Sequence, residues 1–296
     1  MAGLVLDGRA PAREIEARLA ARVRALAAHQ PGAPPKLAIV LAGTDRAYLR
    51  YARMKDDACR RIGIEPLLIA LPPGAGTADA IEEIDRLNGD PRVHGIFVQL
   101  PLAAPLDERR CFDRIAVDKD VGGDGTLSLG RMAAGEAGFA AATPAAILRL
   151  LARYEIPIAG KRAVVVGRSA MVGKPAALLL LAAHATVTVC HPHTRRLPEV
   201  VGHGEIVVGA AGSPRFVKGS WIRDGAVVID AGVHPGGAGD VELAAIAERC
   251  AAYTPVPGGV GPMTIAMLLE NTVAAAERAC GDPGAAVPGT AGTNPP

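Results

Sequence analysis

The sequence predicts an α/β protein of two domains built on parallel sheets, and three observations carry that reading. Short apolar runs suited to buried strands alternate along the chain with helical stretches. The alternation occurs in two series, separated by a Gly-rich passage from Asp118 to Gly138. With 296 residues, half of them apolar, the chain is long enough for two medium domains that bury cores without staples.

The elements follow in order. From Arg9 to Ala28, Ile15, Leu19, Val23 and Leu26 recur at amphipathic-helix spacing, and the prolines from Pro31 to Pro35 end that helix. Lys36 to Leu41 reads as a buried strand, followed by Gly43 and a helix from Arg46 to Ile62. Glu65 to Leu71 is a strand, Thr77 to Asn88 a helix capped by Thr77, and His94 to Leu100 a strand stopped by Pro101. Thr143-Pro144 caps a helix from Ala145 to Tyr154. Four more strands are expected at Arg162 to Val166, Ala185 to Cys190, Glu205 to Ala210 and Ala226 to Asp230. Pro262 to Ala279 is a last apolar helix, and the Gly- and Pro-rich stretch 281–296 reads as a disordered tail.

Composition narrows the function. The 32 Lys plus Arg are scattered among 30 Asp plus Glu, which leaves no electrostatic footprint for nucleic acid or an anionic membrane and points to small-molecule partners. Cys59, Cys111, Cys190, Cys250 and Cys280 are odd in number and form no CxxC pair, so neither a disulfide framework nor a zinc site is indicated. The first residues carry no basic and apolar leader pattern, and no run reaches about 18 uncharged apolar residues, so a cytoplasmic protein is expected.

One segment carries cofactor chemistry. Val164 to Val166 lead into Gly167-Arg168-Ser169-Ala170-Met171-Val172-Gly173-Lys174-Pro175, a strand, a glycine-bracketed turn and a helix start with proline in its first turn. That order aims backbone N–H groups and a helix N-terminus at an anion, as dinucleotide sites do, although two glycines six positions apart match GxGxxG imperfectly. The next strand ends in Cys190-His191-Pro192-His193-Thr194 with no acid to bind ribose hydroxyls. With Arg168 this basic neighbourhood suits a 2′-phosphate, which favours NADP and leaves NAD open. An ordinary strand-to-helix turn and a solvated basic loop are the plainer readings. No Ser/His/Asp order, HExxH or paired metal ligands occur.

Five motifs carry a resemblance. They are Tyr51-Ala52-Arg53-Met54-Lys55, Val98-Gln99-Leu100-Pro101-Leu102, Asp118-Lys119-Asp120-Val121, the Gly167 to Pro175 turn, and Thr254-Pro255-Val256-Pro257-Gly258-Gly259-Val260-Gly261-Pro262-Met263-Thr264. In order and spacing they resemble the bifunctional methylenetetrahydrofolate dehydrogenase/methenyltetrahydrofolate cyclohydrolase family, from Leu6-Asp7-Gly8 to Glu270-Asn271-Thr272. The resemblance implies a folate-binding α/β domain over residues 1–143, completed by helix 262–280, and a Rossmann-type NADP-binding domain over 144–261, facing a cleft in a homodimer. It implies NADP-dependent oxidation of 5,10-methylenetetrahydrofolate and hydrolysis of the methenyl product to 10-formyltetrahydrofolate, with no metal.

By the same resemblance Lys55, Gln99 and Tyr51 are the catalytic group, and Tyr51, Gln99, Leu100, Pro101, Asp124, Pro257, Gly258, Gly259 and Thr264 bind the substrate. Gly167, Arg168, Ser169, Val172, Gly173, His191, His193, Thr143, Ala211, Gly232 and Val233 bind the cofactor. Physical chemistry is consistent with the core of this set. Tyr51 and Lys55 are four residues apart and share a helix face, a desolvated lysine titrates near neutrality, and Gln99 ends a strand where parallel sheets present ligand groups. Packing and solvation are the bland alternatives for each residue.

Three departures stand out. Gly122 replaces the family's pterin-binding aspartate, at a cost of about 1.5–3 kcal/mol unless Asp124 takes over. Tyr48 replaces a serine and is expected to add a phenol near the cleft, and His193 replaces an arginine. The alternative reading is therefore a diverged relative with another pterin or one-carbon substrate, or with one activity. On this reading Gly122→Asp is expected to raise folate affinity if the ancestral pose persists.

Overall fold

Leu4–Val5 (β1), Lys36–Leu41 (β2), Glu65–Ala70 (β3) and Gly95–Val98 (β4) open the chain's strands, with Arg9–His29 (α1), Arg46–Ile62 (α2) and Thr77–Gly89 (α3) between them. The computed structural model describes residues 3–29, 33–43 and 46–281. The prolines expected to end α1 fall partly outside these residues, as does the expected tail beyond Gly281. Contacts divide the chain into two units: Glu14–Ala142 with the C-terminal helix from Ile265, and Thr143–Thr264 with the N-terminal stretch through Arg13.

In the first unit β2 is central in a parallel sheet ordered β3-β2-β4. Its residues Leu37 to Leu41 have no polar member, so both faces of the strand can be covered, and all five are buried. β4 begins with glycine for a steric reason: a Cβ at Gly95 would lie 2.8 Å from a Val121 methyl. Helix α3 departs from expectation at its start. Gly76 precedes it and its N–H donates to Asp79 Oδ2 at 2.7 Å, while Thr77 Oγ1 accepts instead from the Asp107 N–H at 2.9 Å.

The passage 118–138 is also less irregular than its glycines suggest. After Glu108–Arg114 (α4), Thr126–Ala134 (α5) forms, because Asp113 Oδ1 accepts from the Thr126 N–H at 2.7 Å and Gly135 takes the left-handed C-cap at φ 72°. The last helix of the chain, Val260–Ala279, belongs to this unit from Ile265 onward. Within it buried Asn271 donates from Nδ2 to Val121 O at 2.9 Å and to Ala140 O at 3.1 Å.

The second unit takes in Ala142–Arg153 (α6) from Thr143 onward; the helix starts three residues before the sequence expectation and so places Thr143 inside its first turn rather than at the cap. Arg162–Val166 (β5), Gly173–Ala182 (α7), Thr186–Cys190 (β6), Leu197–Gly202 (α8), Ile206–Gly209 (β7), Val227–Asp230 (β8) and Ala252–Tyr253 (β9) follow, and Val260–Ala279 becomes α9. The sheet is parallel throughout in the order β1-β9-β8-β7-β5-β6. Two-residue strands such as β1 and β9 carry no readable period, which is why the sequence reading lacks them.

Their pairing moves the N-terminus from the expected first domain into this unit. Leu6 N–H donates to Tyr253 O at 2.8 Å, Gly8 N–H to Gly258 O at 2.8 Å, and Tyr154 Oη to Asp7 O at 2.9 Å. No described helix is long and apolar enough to cross a membrane.

Asn271 alone satisfies two buried carbonyls, so Asn271→Ala is expected to cost about 2–4 kcal/mol and to lower the melting temperature by several degrees, read by differential scanning calorimetry.

Candidate active site

Two groups of functional side chains form, one in each unit. In the first, α2 carries Tyr51 and Lys55 on one face while Gln99 follows β4. Lys55 and Gln99 are each only 7% exposed, whereas Tyr51 is 39% exposed. Lys55 Nζ bonds Gln99 Oε1 at 2.8 Å and stands 5.0 Å from the centre of the Phe97 ring. The glutamine's orientation is fixed from the other side, because its Nε2 donates to Leu100 O at 2.8 Å and must leave Oε1 for the lysine. Burial pushes the Lys55 ammonium down to about 8, against the opposing fields of Cys59 and Asp124.

Tyr48 does not stand as a free phenol beside this group. It is buried, accepting from the Ala42 N–H at 2.6 Å and donating to Gln99 O at 3.2 Å, so its hydroxyl ties the chain after β2 to the chain after β4. The phenol expected near the site is thus present there, buried and bonded to the backbone of Gln99.

The loop after Asp120 supplies the carboxylates. Buried Asp120 accepts from the Gly125 N–H at 2.9 Å, the Asp124 N–H at 3.3 Å and Ser128 Oγ at 2.5 Å. That turn brings the Asp124 side chain back over Gly122, where a Cβ would lie 2.6 Å from Asp124 Oδ2. The space of a side chain at 122 is thus already occupied by a carboxylate from 124. Burial pushes the Asp124 carboxyl well above the usual range; Asp120 adds to this, and Arg109 and Lys55 oppose it. Arg109 holds the loop through Nη2, which donates to Asp124 O, while its buried Nε has no partner among the described residues.

The second unit contains a cleft of about 510 Å³ at the C-terminal ends of β5 to β8. Gly167, Arg168, Ser169, Val172, His191, His193, Ala211, Gly232 and Val233 of the expected cofactor set all line it. Gly167, at φ 138°, lets the chain turn tightly, since a Cβ there would lie 1.9 Å from Ala210 O. Ser169 Oγ accepts from the Val172 and Gly173 N–H groups at 3.2 and 3.3 Å at the start of α7. His191 Nδ1 accepts from the His193 N–H at 3.2 Å, which orders the basic loop after β6.

Thr143 is not in the cleft lining; Thr264 Oγ1 donates to its Oγ1 at 3.3 Å. Pro257, Gly258, Gly259 and Thr264 belong to this second unit, whereas Tyr51, Lys55, Gln99, Leu100, Pro101 and Asp124 belong to the first. The Arg9 guanidinium lies over Gly258, and its Nη2 donates to Pro257 O at 3.2 Å.

Sequence reasoning missed His234 and Asp240, which also line the cleft. A histidine four residues past Asp230, at a parallel strand's C-terminal end, is a signal that could have found the first. Arg109 gave no signal, because its role depends on the fold of the 120–125 loop.

Both parts of the chain match domains of one family. Residues 6–122 match the tetrahydrofolate dehydrogenase/cyclohydrolase catalytic domain, and residues 141–280 match the NAD(P)-binding domain of the same family. The bifunctional protein FolD of Acidobacterium capsulatum is 56% identical over 281 residues, covering 95% of this chain and 100% of that protein. The crystal structure of the Campylobacter jejuni bifunctional FolD matches with a TM-score of 0.89 at 37% identity, covering 94% of this chain and 99% of that one. A Trypanosoma brucei dehydrogenase-cyclohydrolase, solved with NADP cofactor and an inhibitor, matches with a TM-score of 0.89 at 35% identity over 95% and 99% of the two chains.

Because a Cβ at Gly122 would lie 2.6 Å from Asp124 Oδ2, Gly122→Asp carries a stability expectation as well. The variant is expected to lose about 1–3 kcal/mol from crowding and to melt several degrees below the parent in a thermal denaturation scan.

Proposed function

The chain belongs to the tetrahydrofolate dehydrogenase/cyclohydrolase family, and from that premise we propose how its residues divide two reactions between them. The protein oxidises 5,10-methylenetetrahydrofolate with NADP and hydrolyses the methenyl product to 10-formyltetrahydrofolate, within one-carbon metabolism. The identity of 56% over nearly the whole chain gives no support to a diverged relative with a different substrate.

The cleft of the second unit fits a dinucleotide. The turn after β5 has no Cβ at Gly167, α7 presents its N-terminal N–H groups, and Arg168 with His191 and His193 supplies cationic or polar partners for a 2′-phosphate. When bound, the nicotinamide supplies the hydride acceptor for the methylene carbon. For that step the protein's contribution is to hold and orient the reactants.

The hydrolysis rests on one observation, the buried Lys55–Gln99 bond. A water adds to the methenyl carbon and Lys55 Nζ takes one of its protons; as the carbon–N5 bond breaks, N5 gains a proton and the new hydroxyl loses its own, which leaves the formyl group on N10. Gln99 fixes the direction of the amine, and burial keeps a useful fraction of it unprotonated near neutral pH. Tyr51 packs against the folate. Asp124 accepts from the pterin's N–H groups in place of the acid that Gly122 lacks, which the overlap of its carboxylate with a side chain at 122 supports. We also read the enzyme as a cytoplasmic homodimer. Four buried free cysteines, Cys59, Cys111, Cys190 and Cys250, suit a reducing compartment.

Following reduced cofactor and methenyl absorbance together tests this division. Lys55→Met is expected to slow hydrolysis at least ~100-fold while reduced cofactor still forms, and loss of both in a folded variant would refute the assignment. In the parent, hydrolysis is expected to rise with pH through about 8, as the lysine loses its proton. Asp124→Asn is expected to raise the folate KM about tenfold or more.

A further inference from the structure

The loop after β8, residues 231–241, holds more polar machinery than its backbone needs. Asp230 is buried at the strand end and accepts three N–H groups at 2.9 Å each, from Gly232 and Asp240 on Oδ1 and from Val241 on Oδ2. The turn itself is closed by backbone bonds, His234 N–H to Ala238 O at 2.9 Å and Gly237 N–H to His234 O at 3.1 Å. Two glycines make room for the carboxylates: a Cβ at Gly232 would lie 2.4 Å from Asp240 Oδ1, and one at Gly239 2.0 Å from Asp230 Oδ2.

Against this closed loop stands one side-chain pair. His234 Nε2 lies 2.6 Å from Oδ1 of Asp240, whose other oxygen accepts from the Gly212 N–H at 2.9 Å. Asp240 is 1% exposed and acts as an acceptor, so the imidazole is turned with its Nε2–H inward. The remaining ring nitrogen, Nδ1, has no partner among the described residues, and the ring lines the cleft. A buried carboxylate that fixes one nitrogen of a histidine presents the other in a set orientation and tautomer.

Strand order says which part of a ligand meets it. The Gly167 turn follows β5, the His191–His193 loop follows β6 on one side, and His234 follows β8 on the other side, beyond β7. A dinucleotide with its pyrophosphate at the β5 turn and its 2′-phosphate end over β6 therefore extends its nicotinamide riboside toward β7 and β8. We infer that His234, oriented by Asp240, is a cofactor-positioning residue whose Nδ1 accepts a hydrogen bond from the nicotinamide riboside half of the bound dinucleotide. This rests on the dinucleotide reading of the cleft.

The test compares two probes by isothermal titration calorimetry. NADP has both halves; adenosine 2′,5′-bisphosphate lacks the nicotinamide riboside. His234→Phe removes both ring nitrogens. His234→Gln keeps an amide N–H in reach of Asp240 and places no acceptor where Nδ1 stood. Both variants are expected to bind NADP about five- to tenfold more weakly and the bisphosphate as tightly as the parent. Parent-like NADP affinity in the Gln variant assigns His234 to holding the loop and overturns the inference, as does an equal loss for the two probes. A parent that binds neither probe overturns the dinucleotide reading itself, and the inference with it.

Discussion

A buried carboxylate that collects backbone N–H groups organises the site-bearing loop in each unit. Asp120 gathers the N–H groups of Asp124 and Gly125 with the Ser128 hydroxyl, and Asp230 gathers those of Gly232, Asp240 and Val241. Bonds of this charge-assisted kind contribute about 1.5–3 kcal/mol each and offset the desolvation of the acid, which shows in both cases as a carboxyl pushed upward by burial, to about 6 for Asp230. The geometry follows from chain position. Both loops leave parallel β structure, where backbone donors would otherwise go unpaired, and an acid at the loop's start is short enough to turn the chain back on itself.

The buried Lys55–Gln99 pair depends on a similar economy of attachments. Lys55 reaches Gln99 only because Gln99 is fixed on three sides: its backbone N–H donates to Val40 O at 3.0 Å, its amide nitrogen donates to Leu100 O, and its carbonyl accepts from Tyr48. Burying a lysine disfavours its charged form, and burial pushes the Lys55 ammonium down to about 8. Tyr48 is buried behind the pair, where its hydroxyl bonds the backbone at Ala42 and Gln99.

In space Asp124 lies nearer to position 122 than its place in the chain implies, its Oδ2 falling 2.6 Å from where a Cβ at 122 would stand. A site registers where a carboxylate lies in space, whatever residue number it comes from. Gly123, at φ 67°, and the Asp120 anchor turn the chain so that the Asp124 carboxylate lies beside position 122. A Cβ at 122 would press on the Asp124 oxygen, so the Asp124 side chain has to shift to admit one.

The sequence by itself determined the α/β class, the strands from β2 to β8 within a residue or two at each end, the helix that carries Tyr51 and Lys55, and the Gly167 turn. These are local properties: apolar runs, helical periodicity and glycine placement depend on neighbours a few positions away. The motifs around Lys55, Gln99 and Pro257–Thr264 were legible for the same reason, as contiguous strings. Only the tertiary structure decided the pairing of β1 with β9, the helix inside the Gly-rich passage, the burial of Tyr48, the return of Asp124 over Gly122 and the meeting of His234 with Asp240. Each brings together groups through a turn or a long-range hydrogen bond, and the free energy that fixes them comes from desolvation and from backbone donors and acceptors that must find partners, quantities that do not exist until the chain has closed on itself.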